Sequence, residues 1–180
     1  RFPHLYGPLN LSAVERVIPF PAQADGGFAL PAEAAEATAV RVAPARPEDP
    51  ADLPAAVREA WPRVPEAVLR RKLEAAEVLL ARQCGRVVGS AWVERLWSKV
   101  PYLSLVHVVG AYRRQGVGRA LLAWIEDDLR GKGERALYCS SQVNEAEPQA
   151  WHRRHGFVEC GILAGINAGQ IGEVFFRKAL

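Results

Sequence analysis

Residues 104–130 constrain the fold of this chain more than any other stretch. They read S-L-V-H-V-V-G-A-Y-R-R-Q-G-V-G-R-A-L-L-A-W-I-E-D-D-L-R, which begins as a β-branched and aliphatic run and ends with apolar residues at helical spacing. The apolar helical positions are Val117, Leu121, Leu122, Trp124, Ile125 and Leu129. The pattern therefore predicts a strand, a glycine- and arginine-containing loop, and a helix.

The predicted start of this helix is suited to an anion. First-turn N–H groups have no intrahelical partner, and the helix dipole adds partial positive charge there. Gly116 and Gly118 carry no Cβ, so a ligand can approach the backbone closely. Three arginines, Arg113, Arg114 and Arg119, suit a pyrophosphate better than a single carboxylate. We predict a phosphate-bearing ligand held mainly by backbone amides; the alternative is a tight turn before an amphipathic helix.

Two common phosphate motifs do not fit this loop. A Walker loop needs Gly-Lys-Ser/Thr, whereas Gly118 is followed by Arg119-Ala120. A dinucleotide fingerprint needs a third glycine where this chain has Leu121. The order Arg113-x-x-Gly116-x-Gly118, between a strand and a helix, resembles the acetyl-coenzyme A signature of the GNAT superfamily, the Gcn5-related N-acetyltransferases.

The order of predicted elements agrees with this resemblance over residues 38–180. Strands are predicted at 39–43, 77–83, 86–96, 102–109, 135–140, 157–163 and 173–178, and helices from 46 to 61, at 64–76, after Gly116 and at 144–155. The resemblance implies an α+β GNAT fold with a mixed, mostly antiparallel sheet of about six or seven strands and about four flanking helices. In that fold, splayed middle strands form the cofactor cleft.

A second motif lies at residues 144–157, N-E-A-E-P-Q-A-W-H-R-R-H-G-F. It resembles the GNAT helix that ends in Gly-Phe and often carries a Tyr whose hydroxyl protonates the departing thiolate. Here that position holds His152, which becomes our candidate general acid, with a partly buried structural histidine as the alternative. Asn144 is predicted to cap this helix and to reach the pantetheine arm, facing the cofactor side together with His152.

The resemblance also implies transfer of acetyl from coenzyme A to a primary amine, which needs a base. His107 lies in the strand predicted to run beside the pantetheine, and Glu94 on the preceding strand is the rival base. Each has a structural alternative, a core histidine and an exposed strand carboxylate. Tyr102 and Ser104 are lesser candidates for the acceptor pocket, which the turn at 166–170 would rim. The remaining cofactor contacts are expected from Val108, Val109, Arg113, Arg114, Gln115, Gly116, Val117, Gly118, Arg119 and Ala120.

Composition limits the partners. The chain has 180 residues, 49% of them hydrophobic and 24% charged, and a net charge of +3 that is too small to argue for nucleic acid. No apolar run approaches the roughly 18 residues of a membrane span, so we expect no membrane partner.

The three cysteines, Cys84, Cys139 and Cys160, lack metal-ligand spacing. We interpret them as buried thiols of a bacterial, cytoplasmic protein without a metal. A homodimer is an open option.

Residues 1–37 differ from the rest and are predicted to be an N-terminal extension and linker. The prolines of F-P-H-L-Y-G-P-L and the Ala- and Glu-rich segment 32–37 favour irregular chain. Residues 1–31 resemble the C-terminal tail of a small uncharacterised bacterial domain family. We therefore expect a remnant of an upstream domain followed by the GNAT domain at 38–180.

Three functions remain open at this point. The first is an acetyl-coenzyme A-dependent N-acetyltransferase with an unidentified acceptor. The second is a non-catalytic acyl-coenzyme A sensor, since the usual Tyr is missing. The third is an interaction module that binds no coenzyme A.

Overall fold

The computed structural model describes residues 9–18, 39–46 and 64–180. These residues form an α+β fold with an eight-stranded, mostly antiparallel sheet and three α-helices, as the resemblance implies. The strands are β1 (Arg16–Ile18), β2 (Val40–Pro44), β3 (Val78–Gln83), β4 (Arg86–Leu96), β5 (Val100–Val108), β6 (Ala136–Gln142), β7 (Val158–Leu163) and β8 (Glu173–Ala179). The helices are α1 (Glu66–Glu74), α2 (Val117–Gly131) and α3 (Ala146–Arg154).

The strand count exceeds the prediction because β1 adds to the sheet. β1 lies within residues 1–37, and the structure pairs Val17 with Arg41 of β2 in antiparallel register. The predicted helix between 46 and 61 lies outside the described residues, apart from residue 46. The domain boundary at residue 37 stays a prediction.

The described chain divides into two compact units. The N-terminal unit comprises the described residues within 10–92 and 105–125, and its strands follow the order β1-β2-β3-β4-β5. Its core cluster consists of Ala45, Val78, Leu80 and Trp92. The indole Nε1 of Trp124 donates a hydrogen bond of 3.0 Å to the Val14 carbonyl, which ties α2 to the segment before β1.

The C-terminal unit comprises Leu9 and residues 93–104 and 126–180, with the strand order β4-β5-β6-β8-β7. β5 runs parallel to β6, and their register is Tyr102 opposite Tyr138 and Leu103 opposite Cys139. β8 pairs antiparallel with both β6 and β7. The predicted splay of the middle strands around a cofactor cleft stays a prediction.

Helix α2 has the buried stripe that its sequence predicts. All six predicted apolar positions are at most 3% exposed: Val117, Leu121, Leu122, Trp124, Ile125 and Leu129. Because a period of 3.6 residues aligns these positions on one side, their burial anchors the helix and fixes where its first turn begins. Among the described residues, no helix combines the length and apolar composition needed to cross a membrane.

Two local predictions are wrong. Of the three cysteines only Cys139 is buried; Cys84 lies exposed in the β3–β4 turn and Cys160 on the edge strand β7. Asn144 does not cap α3, because the helix begins at Ala146 and Glu145 occupies the N-cap position without a side-chain cap hydrogen bond. Both predictions rested on residue type alone, whereas burial and capping depend on where the residue lies in the fold.

Candidate active site

The loop between β5 and α2 reverses the chain through a short 3₁₀ turn, Gly110–Tyr112. Arg114 and Gly116 follow with φ angles of 64° and 81°. These left-handed conformations are accessible to glycine at little cost and strained for most other residues. Gly116 thus has a backbone reason for its identity: it allows α2 to begin at Val117.

Side chains of the loop hold its backbone in place. Arg113 Nε donates to the Val108 carbonyl at 3.1 Å, and Gln115 Nε2 donates to the Ala111 carbonyl at 2.9 Å. The Ala120 amide donates to the Gly116 carbonyl at 2.9 Å, which starts the helical ladder. The amides of residues 117–119 precede that ladder and are therefore the first-turn donors.

The charge around this turn is positive. Arg113, Arg114 and Arg119 are exposed, and the first turn of α2 contains no acidic residue. Within the described part of the chain, neither Arg114 nor Arg119 forms an ion pair. First-turn amides beside two such guanidinium groups fit a pyrophosphate.

Gly89 on β4 positions this turn and is not among the residues predicted from the sequence. A Cβ on Gly89 would lie 2.9 Å from the His107 carbonyl oxygen and 3.0 Å from Cγ1 of Val117. Only glycine therefore allows β4 to approach both β5 and the first residue of α2 this closely. A glycine within the strand pattern is the signal that marks such a close approach.

His152 lies on α3 in a largely apolar environment and is 8% exposed. Its ring centroid is 5.6 Å from that of Phe157 and 5.2 Å from that of Phe176. Its Nδ1 lies 3.1 Å from Sγ of the fully buried Cys139. Gly156, with a φ of 84°, ends this helix and turns the chain into β7, which explains the Gly-Phe part of the motif.

Burial determines the protonation of this pair. Desolvation lowers the pKa of His152 to about 4. A hydrogen bond with the Ser140 backbone raises this pKa, and the nearby His155 and Arg153 lower it. Burial also raises the pKa of the Cys139 thiol. At pH 7 both groups are therefore neutral.

A hydrogen-bonded chain of polar side chains links three strands of the C-terminal unit. Tyr102 Oη on β5 lies 2.6 Å from Ser140 Oγ on β6, and Ser140 Oγ donates to Glu173 Oε1 on β8 at 2.5 Å. Asn167 Nδ2 donates to Glu173 Oε2 at 2.7 Å. All four side chains are half-buried.

Two carboxylates act on Tyr102. Burial raises the pKa of its phenol, and the Ser140 hydrogen bond lowers it. The carboxylates of Glu173 and Glu94 raise it further, as does the neighbouring Cys139. Tyr102 therefore stays a neutral phenol at physiological pH. From the sequence, Tyr102 is only a secondary candidate, and nothing in the pattern marks Ser140 or Glu173.

The predicted residues fall into two sets. The residues of the cofactor loop, from Val108 to Ala120, lie together in the N-terminal unit with His107, which is half-buried on β5. Glu94, Asn144 and His152 belong to the C-terminal unit. Asn144 is exposed in the turn before α3, so its predicted pantetheine contact stays a prediction.

Among the described residues, no group of three or more His, Cys, Asp or Glu side chains is placed to hold a metal ion.

The comparisons with known proteins agree with this geometry. The sequence model described as "Acetyltransferase (GNAT) family" matches residues 43–157. Since this is more than half of the chain, the protein belongs to the GNAT family of acetyltransferases. A curated relative, the N-alpha-acetyltransferase RimI of Mycobacterium tuberculosis, is 33% identical over 85 residues, which are 46% of this chain and 52% of that protein. The match thus spans about half the length of the relative.

Solved structures share the fold at low identity. A GNAT acetyltransferase from Elizabethkingia anophelis with acetyl-CoA bound superposes with a TM-score of 0.64 at 14% identity, covering 78% of this chain and 98% of the other. The ribosomal-protein-S18-alanine N-acetyltransferase of Escherichia coli gives a TM-score of 0.64 at 19% identity, covering 78% and 93%. These similarities support the fold.

Proposed function

We propose that this protein is an acetyl-coenzyme A-dependent N-acetyltransferase that acts on a primary amine. The observation that carries the proposal is the start of α2, where first-turn amides, a left-handed Gly116 and exposed arginines converge. This arrangement suits a pyrophosphate, and the family supplies the reaction class. A bacterial, cytoplasmic setting remains part of the proposal.

The cofactor would be held mainly by backbone. The amides of Gln115 to Arg119 would bind the pyrophosphate, with Arg114 and Arg119 adding charge. Ala120 would lie beside the cofactor without donating a hydrogen bond to it, because its amide already donates to the Gly116 carbonyl. Val108, Val109 and Asn144 would contact the pantetheine arm. Acetyl-coenzyme A supplies the acetyl thioester that the amine attacks.

The chain's own groups would handle the protons. His152 remains our candidate to face the departing thiolate, but its ring is neutral at pH 7 because burial lowers its pKa to about 4. It would therefore offer a hydrogen bond rather than an imidazolium proton. A thiol pKa of about 8.5 makes the thiolate a tolerable leaving group without a strong acid. His107 and Glu94 remain candidates to accept the proton of the amine.

The acceptor is proposed by class. The name of the mycobacterial relative, an N-alpha-acetyltransferase, makes the α-amines of peptides the first acceptors to test. We would measure release of coenzyme A thiol and acetylation by mass spectrometry, using peptides with N-terminal Ala, Ser or Met, and spermidine. Acetylation of one of these supports the proposal. Tight coenzyme A binding without transfer to any of them would favour the alternative, an acyl-coenzyme A sensor.

A binding experiment tests the cofactor site separately. Gly118→Val places a β-branched side chain on the first turn of α2. Losing two hydrogen bonds to the pyrophosphate, at about 1.5 kcal/mol each, should weaken coenzyme A affinity by about 10²-fold by calorimetry, with the fold retained. Gly131→Val at the other end of the same helix is the matched control, since a Cβ there meets nothing within 4 Å. Equal affinity in the two variants would refute the assignment.

A further inference from the structure

The hydrogen-bonded chain that begins at Tyr102 has a defined direction. Ser140 carries one hydroxyl proton, and that proton is donated to Glu173. Ser140 Oγ must therefore accept from Tyr102, so the Tyr102 proton points into the chain. The remaining lone pair on Tyr102 Oη is an acceptor, which suits the N–H of an ammonium group.

We propose that Tyr102, Ser140 and Glu173 form a proton relay that deprotonates the acceptor amine, an inference that rests on the acetyltransferase function proposed above. Tyr102 is the residue that would touch the amine, and Ser140 and Glu173 act through it. The relay acts on an acceptor amine that arrives as a cation.

The proton transfer balances without any further reactant. The ammonium N–H bond breaks as its proton passes to Tyr102 Oη, while Tyr102 releases its own proton to Ser140 Oγ. Ser140 releases its proton to Glu173 Oε1, where a new O–H bond forms. The amine and Glu173 both end neutral, Tyr102 and Ser140 keep one proton each, and nothing is oxidised or reduced.

The surroundings of the relay favour a cation at Tyr102. The titratable groups that act on Tyr102 are Glu173 on β8, Glu94 on β4 and Cys139 on β6. Two carboxylates near a half-buried phenol produce a negative potential, and reduced solvent contact strengthens it. Asn167 holds the second oxygen of Glu173, so Oε1 stays directed at Ser140.

The relay predicts a loss of activity that depends on pH. The test measures acetylation of the best acceptor among the peptides with N-terminal Ala, Ser or Met, and spermidine, across pH 6.5 to 10.5. Ser140→Ala should lower kcat by about 10²-fold at pH 7, the low end for a positioned acid or base, with the KM for acetyl-coenzyme A nearly unchanged. The loss should shrink as the pH passes the pKa of that amine, about 8 for an α-amine, because solution then supplies the neutral amine.

Three further variants separate a relay from a structural role. Ser140→Thr keeps a hydroxyl and should recover most of the activity, whereas Glu173→Gln removes the proton acceptor and should reproduce the loss. Ser141→Ala is the matched control, because Ser141 is buried on the same strand and its Oγ makes no hydrogen bond within the described chain. Its kcat should stay within about twofold.

The outcomes distinguish this proposal from the one on which it rests. A Ser140→Ala enzyme with unchanged kcat, or with a loss that is equal at all pH values, overturns the relay and leaves the acetyltransferase proposal intact. Wild-type protein that binds coenzyme A but acetylates no acceptor of the set overturns both.

Discussion

Cys139 and Ser140 are neighbours on β6, and they point to opposite faces of the sheet. On the face of Cys139, His152 is packed among aromatic rings and is almost shielded from solvent. On the face of Ser140, Tyr102 and Glu173 are half-buried and joined by short hydrogen bonds. Each face thus contains a group of side chains that is able to handle protons.

The difference between the faces shows that residue type alone does not identify a proton donor or acceptor. A histidine is the side chain most often used near neutral pH, yet desolvation keeps His152 neutral. Hydroxyl groups are weak acids and bases, yet a chain that ends in a carboxylate allows them to pass a proton. We therefore expect the apolar face to contribute mainly stability and the polar face mainly turnover.

The largest expected effect is on stability, at the apolar face. Burial lowers the pKa of His152 to about 4 in the folded protein, from 6.5 in the unfolded state. Between these values the unfolded state binds more protons, so stability rises with pH there. This contribution is complete above pH 6.5 and is lost as the pH falls toward 4, by up to about 3 kcal/mol. Denaturant unfolding at pH 7, 5 and 4 measures it.

The control for this effect is His152→Phe, which removes the titrating group. Other groups also titrate in this window, so the informative quantity is the difference between the wild-type and variant pH dependences. Parallel curves for the two proteins would show that His152 is not a desolvated histidine, and the contrast between the faces would fail.

A smaller effect is expected on turnover from the same substitution. A neutral imidazole that donates a hydrogen bond to a departing thiolate contributes about 1.5 kcal/mol, so His152→Phe should lower kcat by about tenfold. His152→Tyr should recover part of this loss. The measurement is kcat under conditions where chemistry is rate-limiting, and unchanged turnover in His152→Phe would remove His152 from the mechanism.

The smallest effect concerns the stability contributed by the polar face. Tyr102→Phe removes one hydrogen bond between neutral groups and keeps the ring against Phe175, whose centroid is 6.4 Å away. We expect the free energy of unfolding to fall by about 1 kcal/mol or less. Urea unfolding of the variant at pH 7 measures this change. A loss of about 3 kcal/mol would mean that the polar face is structural, which is opposite to its expected role.

The sequence predicted a strand, a helix and a loop of this protein, although the Asn144 cap and the burial of two cysteines were predicted wrongly. β4 has the predicted bounds, 86–96, and the apolar stripe of α2 is buried as its periodicity requires. Such features depend on residues within one or two turns of each other, where pattern and structure are directly linked. The glycine loop is of the same kind, because Gly116 is required by its own backbone angle.

The relay could not be predicted from the sequence. Tyr102 and Ser140 are 38 residues apart, and Ser140 and Glu173 are 33 apart. Their contact depends on the register of three strands, and a one-residue slip would turn Ser140 to the other face. The low pKa of His152 also depends on burial to which Phe176 and Cys139, distant in the chain, contribute. Gly89 differs from the relay residues, because a glycine inside a strand pattern is itself a local signal of a close approach.

The central claim is that coenzyme A binds with its pyrophosphate on the first turn of α2. The most direct measurement is a titration of isotopically labelled protein with coenzyme A, followed by amide proton–nitrogen NMR spectra. We predict that the amides of Gln115 to Arg119 show the largest shifts, since on this account they would donate directly to the pyrophosphate oxygens. Saturable coenzyme A binding that leaves these amides unshifted would contradict the claim.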